Sequence, residues 1–380
     1  MGQSESSDLR LMYEKVSDFA IQIRSPDKLN INALGNNNIR YYRFKHQSST
    51  FKFHIRGRPF SHKGKSTLDF KVIFLKILND LYEELGMVPF ISSDLSLIHD
   101  NSTVFFKTVK RYSHIGKYAC IAPSGIDSLY IILFPPAVVS SIKNAIETAW
   151  GIDSIEEKRP HCIRVKMRGS PWRPGVKGEY ATALTRLILN IFNILQQSMY
   201  RFVTNISMKG NTDDMFFRYD SSLPPLQYGS PSLTDHIHVQ IDSFWKGGVS
   251  DVRMHNDALE IKVKGSPWKA TSIEAAGSRV LVSMVLREIR RLGYKTHATL
   301  DISRRSNDKS LFVFEGGSDL RVRPPLNIKW TCLYFCGRNK LMLVGVQTDV
   351  LLIIQDSLMP LKKDNGTRIG DVHVWKLNSN

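Results

Sequence analysis

The sequence predicts an α+β protein of three homologous modules, each a small mixed sheet with two helices, plus a partial fourth copy at the C-terminus. Three observations predict it. A phrase recurs: FKFHIRGRPF around Gly57, CIRVKMRGSPW around Gly169 and LEIKVKGSPW around Gly265. Each copy precedes an apolar run of helical length and then two short strand-like segments. The spacing is held: from the glycine it is 37, 36 and 36 residues to Asp94, Asn205 and Asp301, and 48, 47 and 47 to Phe105, Phe216 and Phe312. Intervals kept that closely over three copies indicate one multiplied unit.

Residues 1–15 are polar and predict a flexible N-terminal segment. The first module, 16–115, opens with the strand FAIQIRSP and an irregular Asn-rich stretch holding Gly35. The motif strand 51–56, the loop RPFSHKGKS, a helix over 67–85 and two short strands ending at Phe106 complete it. The second module, 116–232, opens on a hairpin, KYACIA and SLYIILFP, around Pro123-Ser124-Gly125. A helix over 137–150, the motif strand 163–168, a helix over 179–197 and strands near 202–208 and 215–219 follow. The third, 233–327, holds HIHVQIDSFW, the motif strand 259–264, a helix over 273–292 and strands near 298–303 and 311–314. In the partial copy, 328–380, KWTCLYFCGRNKLMLVGV aligns without a gap on KYACIAPSGIDSLYIILF, and a helix over 348–358 and the strand VHVWKL follow. The stretches 221–232 and 316–325 read as linkers. Runs such as SLYIILF, apolar on both faces, suit covered central strands. The motif strands alternate instead, which predicts helices on one face of each sheet.

A strand has period two, so Ile163, Val165 and Met167 are expected to point inward, and Arg164, Lys166 and Arg168 outward. The first copy likewise turns out Lys52, His54 and Arg56, and the third Glu260, Lys262 and Lys264. The outward cations Lys52, Arg56, Arg164, Lys166, Arg168, Lys262 and Lys264 are the candidate anion-binding set. The Gly-x-Pro-aromatic that follows reads as a turn and a plug. Glycine lets the chain leave the sheet, proline ends the ladder, and Phe60, Trp172 or Trp268 fills the sheet end. The polar strands carrying Asn205 and Asp301 read as surface ladders pairing with the cationic strands. In the second copy Asn205 cannot serve as a carboxylate base.

The chain has 52 Lys and Arg against 35 Asp and Glu, a formal charge of +17 and a pI near 9.7. That excess favours anionic partners: anionic membrane lipid, nucleic acid or acidic proteins. Four cysteines fit a reducing compartment, with Cys120 and Cys332 at matching places as small buried hydrophobes. No catalytic set, no phosphate-binding loop and no metal-ligand pattern stands out, and His236 with His238 supplies only two ligands. No catalytic residue, metal or cofactor is expected. The polar first twenty residues predict no signal peptide, and no uncharged apolar stretch reaches the ~18 residues of a transmembrane helix.

The first residues, Met1-Gly2-Gln3-Ser4-Glu5-Ser6, fit the pattern for myristoylation on Gly2. One acyl chain binds membranes marginally and needs a second signal, which a basic body supplies. The expectation is a non-enzymatic basic repeat protein in the cytoplasm, acting as an adaptor or scaffold at a membrane surface through a lipid anchor on Gly2. The alternative is an RNA- or DNA-binding protein using its cationic strand faces.

Overall fold

The computed structural model describes residues 18–24, 28–34, 50–54, 67–93, 103–112, 115–173, 179–207, 212–222, 241–242, 245, 247–255, 258–267, 274–301, 311–316, 331–336, 340–344, 346–358, 366–369 and 372–376. Among them are five helices and five sheets, a mixed α+β architecture, and the established pairings are antiparallel. The chain forms two compact units, Met1–Leu226 with His297–Val313, and Gln227–Thr296 with Phe314–Asn380.

The first unit holds two large sheets. One contains β1 (Asp18–Arg24), β2 (Lys28–Leu34), β3 (Thr50–His54), β4 (Met87–Ser93) and β5 (Thr103–Thr108) in the order β3-β2-β1-β5-β4. The other contains β6 (Ile115–Ser124), β7 (Ser128–Ile132), β8 (Ile152–Arg159), β9 (Cys162–Met167), β10 (Tyr200–Ile206) and β11 (Asp214–Asp220) in the order β10-β11-β6-β7-β9-β8. Read from the motif strand, both follow the same path, and β8 is an added edge. The likeness extends to detail. Strand β4 bulges between Pro89 and Ile91 where it meets Phe106 and Phe105, and β10 bulges between Phe202 and Thr204 where it meets Phe217 and Phe216.

Helix α1 (Thr67–Leu85) buries Phe70, Phe74, Leu75, Leu78, Leu81 and Tyr82, a stripe at helical spacing. That stripe packs on one face of the six-stranded sheet, against Tyr118, Cys120, Ala122, Ile132, Cys162 and Phe216. The opposite face, through Ile121, Leu129, Ile131, Val165, Met167 and Phe217, packs on α2 (Pro136–Ala149) and α3 (Glu179–Gln197). The sequence predicts helices on one face, but this sheet carries them on both. The reason lies in the central strands: KYACIA and SLYII are apolar on alternate residues of either parity, so each face must be covered. Cys162, on the cation side of the motif strand, is fully buried in the α1 cluster.

The second unit contains the hairpin β12 (Val249–His255) and β13 (Ala258–Val263), and helix α4 (Glu274–Arg291). Between its parts in sequence lies the strand pair β14 (Tyr294–Leu300) and β15 (Leu311–Gly316), of which residues 297–313 belong with the first unit. Its sheet runs β16-β17-β19-β18, built from β16 (Cys332–Cys336), β17 (Lys340–Val344), β18 (Thr367–Ile369) and β19 (Val372–Lys376). This is the order of β6-β7-β9-β8. The ladder from Lys340 opposite Lys376 to Val344 opposite Val372 repeats the one from Ser128 opposite Lys166 to Ile132 opposite Cys162. Sidedness repeats too. Met342, Val344 and Val372 pack with Ala276 of α4, while Leu341, Leu343 and Trp375 pack with Leu351, Ile354 and Leu358 of α5 (Thr348–Leu358).

The exit from the motif strand is as expected where it is described. Gly169 and Gly265 have φ of 67° and 79°, and a Cβ at either meets no atom within 4 Å. Glycine is required there for its backbone conformation rather than for space. Gly169→Ala is therefore expected to cost about 1–2 kcal/mol in urea denaturation, the strain of a left-handed residue, and Gly169→Asn less. Trp172 is fully buried, its indole N–H donating to the Ser128 carbonyl at 2.8 Å. Phe60 and Trp268 lie outside the described residues.

Candidate anion-binding faces

The motif strands reach their glycine through a second repeated device. At the end of α2 the Trp150 indole donates to the Arg168 carbonyl at 2.7 Å, and the Arg168 N–H donates to the Gly151 carbonyl at 3.1 Å. The Glu147 carboxylate accepts the Ile152 N–H at 2.6 Å, which starts β8. The third copy does the same. Trp245 donates to the Lys264 carbonyl at 2.8 Å, Lys264 N–H to Gly248 at 3.0 Å, and Asp242 accepts the Val249 N–H at 2.9 Å. The backbone of the last cation is thus pinned in both copies. The signal in the sequence is a carboxylate three residues before a tryptophan, Glu147 and Asp242.

The side chains of the second copy's row are answered at close range. Lys166 Nζ lies 2.6 Å from Asp153 Oδ2. That hydrogen bond, reinforced by the opposite charge, holds Lys166 above the usual lysine pKa and Asp153 below the usual carboxylate one. Arg164 donates from Nε and Nη2 to Ser128 Oγ at 3.1 and 2.9 Å, with Glu156 at 4.0 Å from Nη1. Arg168 donates to the Ile152 carbonyl at 3.3 Å and stands 3.9 Å from Glu147. Two of the carboxylates, Asp153 and Glu156, come from β8, an edge strand not recognised in the sequence. Its residues IDSIEEKR are charged and exposed, so no apolar alternation marks them. The available signal was Pro160-His161, two residues between β8 and β9, which with His161 at φ 61° is the length of a tight hairpin turn. These exposed pairs add little stability, but they neutralise the row.

In the third copy Lys262 and Lys264 are exposed. Asp251, opposite Lys262 in the ladder, pairs with Arg253 at 2.6 Å. Lys52 lies in β3 opposite Asn30. Gly2, Arg56 and Asp94 lie outside the described residues, as do His236 and His238.

The fold buries several ionisable groups, some of them against one another. Lys71 of α1 and Asp214 of β11 form a buried ion pair at 2.5 Å, beneath which burial, aided by the Asp214 charge, pushes the Cys120 thiol well up. The Arg218 guanidinium lies 4.8 Å from the Tyr82 ring and 5.6 Å from the Tyr118 ring. Burial pushes the Tyr118 hydroxyl up to about 12, and Arg218 opposes the shift. In α4, Glu288 is fully buried and bonds both Arg287 and Arg291 at 2.9 Å, so these two arginines at the helix end are held by a carboxylate of their own helix. Among the described residues no group of three or more His, Cys, Asp or Glu is placed to hold a metal ion, and no helix is long and apolar enough to cross a membrane.

Asn205 does not meet a cationic strand in the way the polar ladder predicts, and its side chain and the Asp301 backbone converge on one carboxylate. That carboxylate belongs to Asp213. Its Oδ2 accepts from Asn205 Nδ2 at 2.6 Å and from the Asp301 N–H at 2.7 Å, while its own N–H donates to the Asp301 carbonyl at 2.8 Å. Burial raises the Asp213 carboxyl to about 7, against the pull of these bonds. The folded value stands above the unfolded one, so the stabilising contribution is complete below pH ~4 and is lost as pH rises through ~7. The stability difference between the native chain and Asp213→Asn is expected to shrink or invert over that window, measured by denaturation at fixed pH steps.

A repeated α+β unit with a pinned cationic strand is the class these features define. One family domain matches the chain in two segments, residues 117–220 and 226–315. They hold Gly169 and Gly265 and together cover just over half of the chain. The chain belongs to that domain family, and the double match points to repetition within it. No curated protein and no solved structure matches the chain.

Proposed function

We propose that the chain is a non-enzymatic protein of three homologous modules, 16–115, 116–232 and 233–327, with a partial fourth over 328–380. It acts at a cytoplasmic membrane surface as an adaptor or scaffold, held there by a myristoyl chain on Gly2 together with its positive charge. The common strand order, the shared bulge and the repeated ladder register support the modules. The placement of charge carries the membrane reading. Residues 3–66, which follow Gly2, contain 12 Lys and Arg against 5 Asp and Glu, whereas the row Arg164, Lys166 and Arg168 already faces carboxylates. Near an anionic leaflet each such cation contributes roughly 1 kcal/mol, which converts a marginal single acyl anchor into a stable one.

Vesicle flotation of acylated protein against Gly2→Ala, with and without phosphatidylserine, tests the reading. Both changes are expected to reduce flotation, and a result in which neither does refutes it. Lys166→Gln combined with Asp153→Asn, which removes a neutral pair, is expected to leave flotation unchanged, whereas Lys262→Gln with Lys264→Gln lowers it. Binding to an oligonucleotide that falls steeply with salt and ignores Gly2→Ala would instead favour nucleic acid.

A further inference from the structure

The sheet of the second unit differs from its counterpart at one edge. In the six-stranded sheet β6 lies between β7 and β11, and α3 packs over β11, the Phe192 ring 5.3 Å from that of Phe217. The equivalent strand β16 pairs with β17, and among the described residues no strand borders its other side. Exposure follows. Ile121 of β6 is fully buried, whereas Leu333, at the same place in β16, is 47% exposed. Leu333 stands opposite Leu343, as Ile121 stands opposite Ile131. Residues directly opposite share a face, and Leu343 packs with α5, so Leu333 lies on the α5 face of the sheet. The gapless alignment carries on into the helices, which begin at Pro136 and Thr348, and sets Val350 on Val138 and Ile353 on Ser141. Val138 is buried in the cluster that holds Ile121 and the α3 stripe, while Val350 is 36% exposed. Ile353, three residues on and on the same flank, is 66% exposed where α2 has an exposed serine. Leu333, Val350 and Ile353 thus border the place that β11 and α3 fill in the second module.

We propose that this edge is a self-association surface on which a second copy of the chain docks, β16 pairing antiparallel with β16 and α5 lying beside α5. The inference goes beyond the membrane reading and does not depend on it. The occupant follows from what covers the equivalent place, a strand and an apolar helix. The surface itself presents both, so two copies complete one another. A two-fold axis perpendicular to the sheet keeps both Leu333 side chains and both α5 helices on one face, and the closed pair leaves no open edge at β16. Charge agrees. A chain of +17 repels its own copy, yet residues 331–336 and 346–358 contain no Lys or Arg, and Asp349 and Asp356 are their only charges. A surface without cations suits neither a phosphate backbone nor an anionic leaflet.

Sedimentation equilibrium of the full chain carrying Gly2→Ala, so that no acyl group drives association, tests the proposal. A dimer is expected. Leu333→Lys and Leu333→Glu are each expected to weaken it about tenfold or more, through lost apolar burial and like charges brought together. Val350→Ser with Ile353→Ser is expected to weaken it similarly, whereas Leu352→Ser, on the opposite flank of α5, leaves it unchanged. Mixing Leu333→Lys with Leu333→Glu is expected to restore association, which variants that had lost their fold do not do. A chain that stays monomeric at every concentration overturns the proposal, as does a dimer untouched by the Leu333 and helix variants. A mixture no more associated than its components also overturns it. If the monomeric chain instead binds a peptide of the β11 sequence, the edge accepts a strand from another protein, and self-association is overturned.

Discussion

Lys71→Met is expected to destabilise the first unit by about 3–5 kcal/mol, the cost of leaving one charge buried without its partner. Lys71 and Asp214 are both buried, and the hydrophobic cluster around α1 is made of Phe, Leu, Ile, Val, Met, Ala, Tyr and Cys side chains. The Asp214 side chain is 3% exposed, so the carboxylate left without the ammonium at 2.5 Å is largely shielded from water. The pair joins α1 to β11 of the six-stranded sheet, so its loss weakens the packing of that helix on the sheet. Adding Asp214→Leu is expected to recover most of the stability, because well-packed apolar replacements of a buried pair are often neutral. A double variant as unstable as Lys71→Met alone contradicts this account. Urea denaturation of the three variants, followed by tryptophan emission and circular dichroism, makes the comparison.

Trp172→Ala is expected to cost about 3–5 kcal/mol through the cavity it leaves. The indole is fully enclosed at the end of the motif strand, among Leu129, Ile131, Val165 and Met167 of the sheet and the stripe of α3. Its backbone N–H also closes the turn by donating to the Ile126 carbonyl at 3.0 Å. Trp172→Phe retains most of the volume but removes the donor to the Ser128 carbonyl. It is expected to cost about 1–3 kcal/mol, that of an unsatisfied buried acceptor. A larger loss for Phe than for Ala would show that the plug does not act by volume.

The sequence made regular, apolar features legible. The helices Thr67–Leu85, Glu179–Gln197 and Thr348–Leu358 end where their apolar periodicity ends: the first two bury an apolar stripe and the third turns Leu351, Ile354 and Leu358 toward its sheet, spacings that the sequence displays. Edge strands were not legible. Both β8 and β12 lie beside a motif strand; β8 is charged and exposed with no apolar period, and β12 alternates only through Val252 and Met254, which are exposed. That gap altered the candidate site, since β8 supplies the carboxylates facing Arg164 and Lys166. The role of Asn205 was also hidden. Its partner Asp213 lies eight residues away, across the β10–β11 turn, and buried hydrogen bonds leave no periodic trace. The exposure of both Phe90 and Ile91 was hidden for a related reason: the β4 bulge changes which side of the strand a residue faces, and strict alternation does not anticipate it.

The membrane account stands or falls on whether two weak attachments act on one protein. The direct measurement is vesicle partitioning in a four-way cycle: acylated and Gly2→Ala protein, each on neutral and on phosphatidylserine-containing vesicles, repeated at rising salt. The account predicts strong partitioning only for acylated protein on anionic vesicles, partial loss from either single change, and a salt dependence confined to the anionic pair. Equal partitioning in all four arms, or none in any, contradicts it.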